Sequence, residues 1–252
     1  MGTLNIRMMG SFSINNDRED LFSKLSSKSA AIIALLVCNE NRKMARDKLA
    51  SVLWADSFET ANYNLRYNLW NIKKVIPCDD SGNEFIISTK DYCCINPDYS
   101  FECDLMALEG IDLKEGEKED KKLIDKLIFA RKNLKGDFLD QFYIKDSDDF
   151  NEWVLFQRAR YQKKHIQSLN LLLDYYTREG IYEDATEILE DILRVNPYDE
   201  EACYRLMKLH IEKKREASRH HAVQEVLQYA KAGAQYIAAE EDQGSLHDSR
   251  GQ

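Results

Sequence analysis

Apolar and polar positions alternate with a different rhythm in the two parts of the chain. Leu4 to Ile14, LNIRMMGSFSI, is short, partly alternating and interrupted by Gly10, which predicts one or two small strands. Asn15 to Glu19 read as a polar turn. The run SKSAAIIALLVCN, Ser27 to Asn39, is rich in Ala and Leu and too long for an average strand, so it predicts a buried helix closed by the polar ENRK at 40 to 43. Ala45 to Trp54 places Leu49, Val52 and Leu53 at helical spacing, with Trp54 closing the core. The third helix is Glu59 to Ile76, in which Ala61, Leu65, Leu69, Ile72 and Ile76 recur every three or four residues and form a core-facing side. Pro77 stops it, DDSGN at 79 to 83 predicts a turn, and EFIISTKDYCCIN at 84 to 96 predicts a hairpin turning at Thr89 to Asp91. Strands, three helices and a hairpin make a small α+β winged-helix domain over residues 1–98.

Beyond it the period is helical. Glu102 to Leu108 begins a modest helix, the charged Gly110 to Glu119 predicts a loop, and Lys121 to Leu134 resumes the pattern with Leu123, Leu127, Ala130 and Leu134. GDFLDQFY at 136 to 143 breaks it before the acidic run Asp146 to Asp149. Trp153 to Tyr176 predicts one long helix with Trp153, Phe156, Leu169, Leu172, Leu173 and Tyr176 as its apolar positions. Tyr175 to Ala202 carries the most specific signal. Gly180 permits a sharp turn between two helices, Tyr182, Ala185, Leu189 and Leu193 are expected on the inner side of the second, and Pro197 separates it from a helix running to about Lys213. A turn glycine, a small alanine and an inter-repeat proline indicate a tetratricopeptide-type helix pair, which needs flanking helices to bury its face. The expected organisation is therefore two-domain: a winged helix at 1–98, an all-α tetratricopeptide-like repeat domain at 99–240 that includes a helix from Glu216 to Tyr236, and a disordered tail at 241–252.

Charge sharpens this division. The net charge is -9, but residues 1 to 100 hold twelve basic and twelve acidic side chains, leaving 23 against 32 for the rest. Between Arg42 and Lys74 seven basic side chains face three acidic ones, Asp47, Asp56 and Glu59. That positive patch surrounds the third helix, whose outer side carries Tyr63, Tyr67, Trp70 and Lys74, with Arg66 and Asn71 on its shoulders. Rings, amides and cations in that position suit a groove of nucleic acid or the surface of a partner. On duplex DNA, Arg66 and Asn71 are the base-reading candidates, since a guanidinium pairs with guanine and an amide with adenine. Lys73, Lys74, Arg42, Lys43 and Lys90 are the candidate phosphate contacts, which hold register and carry little sequence information. The acidic second part is expected to point away from the phosphates.

Other chemistry lacks a constellation. The sequence has no GxGxxG, no GxxxxGK[ST], no HExxH and no spaced Cys/His set, and nothing assembles a nucleophile, base and orienting group. An enzyme, a cofactor and a bound metal are not expected. His220 and His221 are adjacent and diverge on a helix, while His165 and His210 are expected at the surface or its boundary. Cys93 and Cys94 alternate along a strand, predicting one core thiol beside an exposed one. Six cysteines without CxxC suit a reducing cytoplasm. No apolar run reaches the length of a membrane span, and no secretory signal is expected.

The ordered set of segments resembles the bacterial transcriptional activators related to the streptomycete antibiotic regulatory proteins, which join an OmpR-type winged helix to a helical, tetratricopeptide-like activator domain. LNIRMMGSFSI resembles the opening strands, SSKSAAIIALLVCN the first helix, ARDKLASVLWAD the second with its tryptophan, and ANYNLRYNLWNIKKVI the recognition helix. LKGDFLDQFYIKDSDDFNEWVLFQRARYQ and the following repeat pair resemble the activator domain. The resemblance covers Leu4 to about Lys213. It implies direct-repeat promoter DNA, homodimerisation or cooperative assembly on that DNA, contact with RNA polymerase, and a nucleoid-associated cytoplasmic location. It places the recognition surface on Asn62, Tyr63, Arg66, Tyr67, Trp70, Asn71 and Lys74. Trp70 stands where the family often has a small or polar residue. Asp91-Tyr92 replaces the usual Gly-Tyr of the wing, and Cys93 replaces a frequent basic residue, so less affinity is expected from the wing. The competing expectation is a signalling or scaffold protein that binds a partner peptide through its helical repeats without reading DNA.

Overall fold

The structure is a computed structural model that describes residues 3–39, 43–55, 58–109, 111 and 121–214. Two compact units divide at Tyr175 and Tyr176. Arg42, most of the loop expected at 110–119, the helix expected at Glu216 to Tyr236 and the tail at 241–252 lie outside the described residues.

The first unit opens with β1 (Leu4–Arg7) and β2 (Ser13–Asn15), antiparallel with Ile6 opposite Ile14. Helix α1 (Ser27–Val37) follows, started by Ser26, whose side chain accepts the Ser29 N–H at 3.0 Å. Every residue of α1 from Ser29 to Val37 is buried, as its unbroken apolar run predicts. Strand β3 (Met44–Ala45) leads into α2 (Arg46–Leu53), and Trp54 after it is buried, with Lys28 over its ring at 5.4 Å. Helix α3 (Phe58–Val75) packs against α1 and α2. Its core row is Ala61, Leu65, Asn68, Ile72 and then Ile76, while Leu69, expected in that row, is half-buried.

The hairpin forms as β4 (Ile86–Ser88) and β5 (Tyr92–Ile95), and β3 adds a third strand in the order β3-β5-β4. With β5 central and packed against α1, both Cys93 and Cys94 are buried, so the expected alternation of a core and an exposed thiol does not hold. A helix was expected to begin at Glu102. Instead Phe101–Cys103 forms β6, parallel to β1 with Ile6 opposite Cys103, and α4 (Asp104–Glu109) starts after it. Phe85 holds this return by edge-on contacts with Tyr99 and Phe101, at 5.2 and 5.5 Å between centroids.

The pairing of β6 with β1 brings the chain after residue 98 back to the opening strands. The Asp104 carboxylate accepts the backbone N–H groups of Met8 and Met9 at 2.9 and 2.8 Å, which fastens α4 to the end of β1. Burial pushes that carboxyl upward, while these N–H donors oppose the shift. The 136–143 segment folds onto the same place: Leu139 N–H donates to Met8 O at 2.7 Å, and Gly10 N–H to Asp137 O at 2.8 Å. A Cβ on Gly136 would lie 3.0 Å from the Gly10 Cα, and both glycines have positive φ. Two backbones thus meet where side chains do not fit. Ser147 Oγ donates to Leu53 O at 2.8 Å, and Lys28 reaches both.

Helix α5 (Lys121–Asn133) buries Ile124, Leu127 and Ala130. Helix α6 (Asp148–Arg178) begins within the acidic run, five residues before the expected Trp153. Its buried row is Phe150, Val154, Gln157, Tyr161, His165, Leu169 and Leu172. Phe156, expected among the apolar contacts, is 69% exposed, because it lies off that row. His165, expected near the surface, lies on the row and is buried, whereas His210 is exposed. The Arg158 guanidinium closes the 136–143 segment by donating to the carbonyls of Phe138 and Leu139 at 2.8 and 2.6 Å.

In the second unit, Gly180 at φ 72° supports the turn, and Ile181 N–H donates to Tyr176 O at 2.9 Å. Helix α7 (Tyr182–Val195) follows, then Pro197 and a helical stretch at 200–214, α8. Ala185 and Leu189 are buried as expected, but their companions are Ile188 and Ile192, while Tyr182 and Leu193 are half-buried. Helix α8 buries Ala202 and Leu209, and Lys213 pairs with Glu183 at 3.3 Å.

Candidate nucleic-acid interface

Helix α3 is held by its inner side. Asn68 occupies a position that the apolar period would give to a hydrophobic residue, and its amide oxygen accepts from Ser26 Oγ at 2.7 Å and Ser29 Oγ at 2.9 Å. Its amide nitrogen donates to Asn64 O at 2.9 Å. The residue that caps α1 is therefore tied to the middle of α3. Satisfied on both ends, Asn68 gives orientation where an aliphatic side chain would give only burial. A polar residue inside the 61, 65, 72 series was the available signal, but its partners lie some forty positions away in the sequence.

With the inner side anchored, the outer side is set. Tyr63, Arg66, Tyr67, Trp70, Lys73 and Lys74 are exposed, while Asn62 and Asn71 are half-buried at the edges. The rings of Tyr67 and Trp70 lie 6.0 Å apart with their planes tilted by 36°, and the Lys74 ammonium sits 5.3 Å from the Trp70 ring centroid. This cation–ring contact orders both groups on the surface.

The wing stands beside this helix. A groove of about 270 Å³ runs between them, lined by Arg66, Trp70 and Lys73 of α3, Ile86 and Ser88 of β4, and Arg46. Lys73 forms an ion pair with Glu84 at the base of the wing, which offsets part of the charge expected to face a phosphate. Arg46, counted in the positive patch, is committed to structure: its guanidinium donates to Ser88 Oγ at 2.7 Å and Thr89 O at 3.3 Å. That bond clamps the start of α2 to the wing turn. Lys43 is exposed and lies 4.4 Å from the Tyr92 ring centroid, and Lys90 is exposed in the turn between β4 and β5. The structure thus joins Arg66, Trp70 and Lys73 in one groove and puts Lys43 and Lys90 on the wing.

The solved structure of Mycobacterium tuberculosis EmbR in complex with a low-affinity phosphopeptide is similar in fold. The two share a TM-score of 0.62 and 18% identity, over 86% of this chain and 57% of the EmbR chain. No family model matches the sequence, and no curated protein matches it. The likeness is therefore one of fold, and this chain spans 57% of the EmbR chain's length.

Burial pushes the Cys38 thiol up to about 12, and those of Cys103 and Cys94 also upward, so these thiols stay protonated near neutrality. Among the described residues, no group of three or more His, Cys, Asp or Glu side chains could hold a metal ion, and no helix is long and apolar enough to cross a membrane.

Proposed function

We propose that this chain is a sequence-specific, DNA-binding transcriptional regulator that seats α3 in the major groove of promoter DNA and rests the wing on the neighbouring backbone. The observation that carries this reading is the contrast between the two sides of α3. The inner side is buried and bonded through Asn68, while the outer side offers three exposed rings among Arg66, Lys73 and Lys74. The major groove of B-DNA admits a helix of this kind, and an adjacent hairpin then lies within reach of phosphates. Arg66 and Asn71 take base edges, Asn62, Tyr63, Tyr67 and Trp70 line the contact, and Lys43, Lys73, Lys74 and Lys90 take phosphates, with Arg42 as a further candidate. The fold shared with EmbR supports the resemblance to the activator family. On that resemblance the protein is an activator that assembles as a homodimer or cooperatively on repeated sites. Residues 1–98 then form the DNA reader, and the helical module at 99–240 contacts RNA polymerase.

The test is a selection of the full chain on a randomised duplex library, followed by titration of the enriched duplex at several salt concentrations. Affinity falls steeply as salt rises, and Lys74→Ala lowers the slope of log affinity against log salt by about 1. An unchanged slope removes Lys74 from the phosphates.

The rival is a partner protein that binds peptide through the helical repeats. Tyr204, Met207 and Ile211 are exposed at helical spacing on α8 and favour it. A library that enriches no sequence, with binding insensitive to salt, decides for the rival.

A further inference from the structure

The centre of the outward face of α3 is aromatic, and the charged groups lie to its sides. With 3.6 residues per turn, Tyr63, Tyr67, Trp70 and Lys74 fall within about 60° of one another around the helix, opposite the core row of Ala61, Leu65, Asn68 and Ile72. Arg66 and Asn71 lie on opposite flanks of that stripe. The rings of Tyr63, Tyr67 and Trp70 are 67%, 58% and 56% exposed. An apolar stripe on a helix that already has its core needs a partner to take it out of water.

We infer that this stripe reads thymine methyl groups, so that the bound sites carry thymines at the positions facing Tyr67 and Trp70. The inference rests on α3 entering the major groove. There the row opposite the core lies over the floor of the groove, while Arg66 and Asn71 on its flanks reach base edges to either side and Lys74, in the last turn of the helix, reaches the phosphates. Hydrogen-bond donors and acceptors crowd those edges, and the C5-methyl of thymine is the apolar group they offer. A ring that met only polar edges would lose water without gaining contact, whereas a ring against a methyl removes apolar surface from both. The surroundings favour duplex DNA as the occupant. Lys74 stands over the Trp70 ring at the end of the stripe, and Arg66 lies on one flank. Of the exposed acidic groups, Glu59 lies at the start of α3, Glu84 is paired with Lys73, Asp47 follows Arg46 on α2, and Asp91 lies beside Lys90 in the wing turn. The Tyr67–Trp70 contact makes the two rings one surface, able to span methyl groups on adjacent base pairs.

The experiment replaces each thymine of the enriched duplex in turn by deoxyuridine, which removes the methyl and leaves base pairing and the protein unchanged. At one or more positions the affinity of the full chain falls about fourfold, as expected for losing one buried methyl. Trp70→Ala or Tyr67→Ala then binds the thymine and uracil forms of that position equally. If an enriched duplex binds equally with uracil at every position, the methyl reading is overturned while α3 as a groove reader stands. If no duplex is enriched, both fall. A Trp70→Ala protein that still discriminates thymine from uracil as the parent does excludes Trp70 from the contact.

Discussion

Helices α1 and α3 are neighbours in the same unit, yet they spend their side chains differently. Helix α1 is buried without a break from Ser29 to Val37, so every position answers to packing. Helix α3 answers to packing only along Ala61, Leu65, Asn68, Ile72 and Ile76, and its outer side carries exposed rings and cations. The fold does not require Tyr63, Tyr67 or Trp70 to be aromatic. A side chain that stability does not demand, on an element that stability holds firmly, is available for recognition. Helix α1 is thus the support, and α3 the element whose outer side we propose as the tool.

Breaking the support gives the largest effect. Leu36 is fully buried in α1, and Leu36→Ala is expected to cost about 2 to 5 kcal/mol in denaturant unfolding, since the cavity adds to the lost transfer energy. A loss below 1 kcal/mol, within the scatter of surface changes, would contradict the packing described. Next comes the tie between the helices. Asn68→Ala leaves the Ser26 and Ser29 hydroxyls without their shared acceptor and is expected to cost about 1 to 3 kcal/mol. Asn68→Leu, which restores the apolar period without the bonds, should not recover it fully; full recovery would make Asn68 a matter of volume alone.

Changes on the tool move binding more than folding. Arg66→Ala should weaken binding to the enriched site by about 1 to 3 kcal/mol, the worth of a good base contact. Equal losses on cognate and random duplexes would assign Arg66 to phosphate instead. The smallest expected change sharpens the comparison most: Trp70→Ala should alter unfolding stability by no more than about 0.5 kcal/mol, because the ring is exposed. A larger loss would put Trp70 in the support.

Long periodic stretches were legible in the sequence. The continuous apolar run of α1, the three-and-four spacing of α3 and the hairpin around Thr89 to Asp91 each repeat a signal over many residues, and each appears where expected. Strands β3 and β6 were not legible, since two or three residues carry no period and their place is set by partners across the chain. The contacts that tie later segments to the opening strands were hidden for the same reason. The approach of Gly10 to Gly136 and the bonds from Asp104 to Met8 and Met9 join segments about a hundred residues apart. On α6 the apolar residues exceed what one face can bury, so spacing could not say that Phe156 points out and His165 in. Which side chains lie on the outer side of α3 was legible from the helical wheel. The clamp of Arg46 on the wing, the Lys73–Glu84 pair and the role of Asn68 needed the tertiary fold.

The most direct test of whether the outer side of α3 reads duplex DNA is a parallel library selection with the parent chain and a Tyr67→Ala/Trp70→Ala variant whose unfolding transition matches the parent. The parent should enrich a short repeated site, and the variant should lose that enrichment while keeping weak, salt-dependent binding to any duplex. Enrichment of the same site by both proteins, or of no site by either, would contradict the assignment of α3 as the reader.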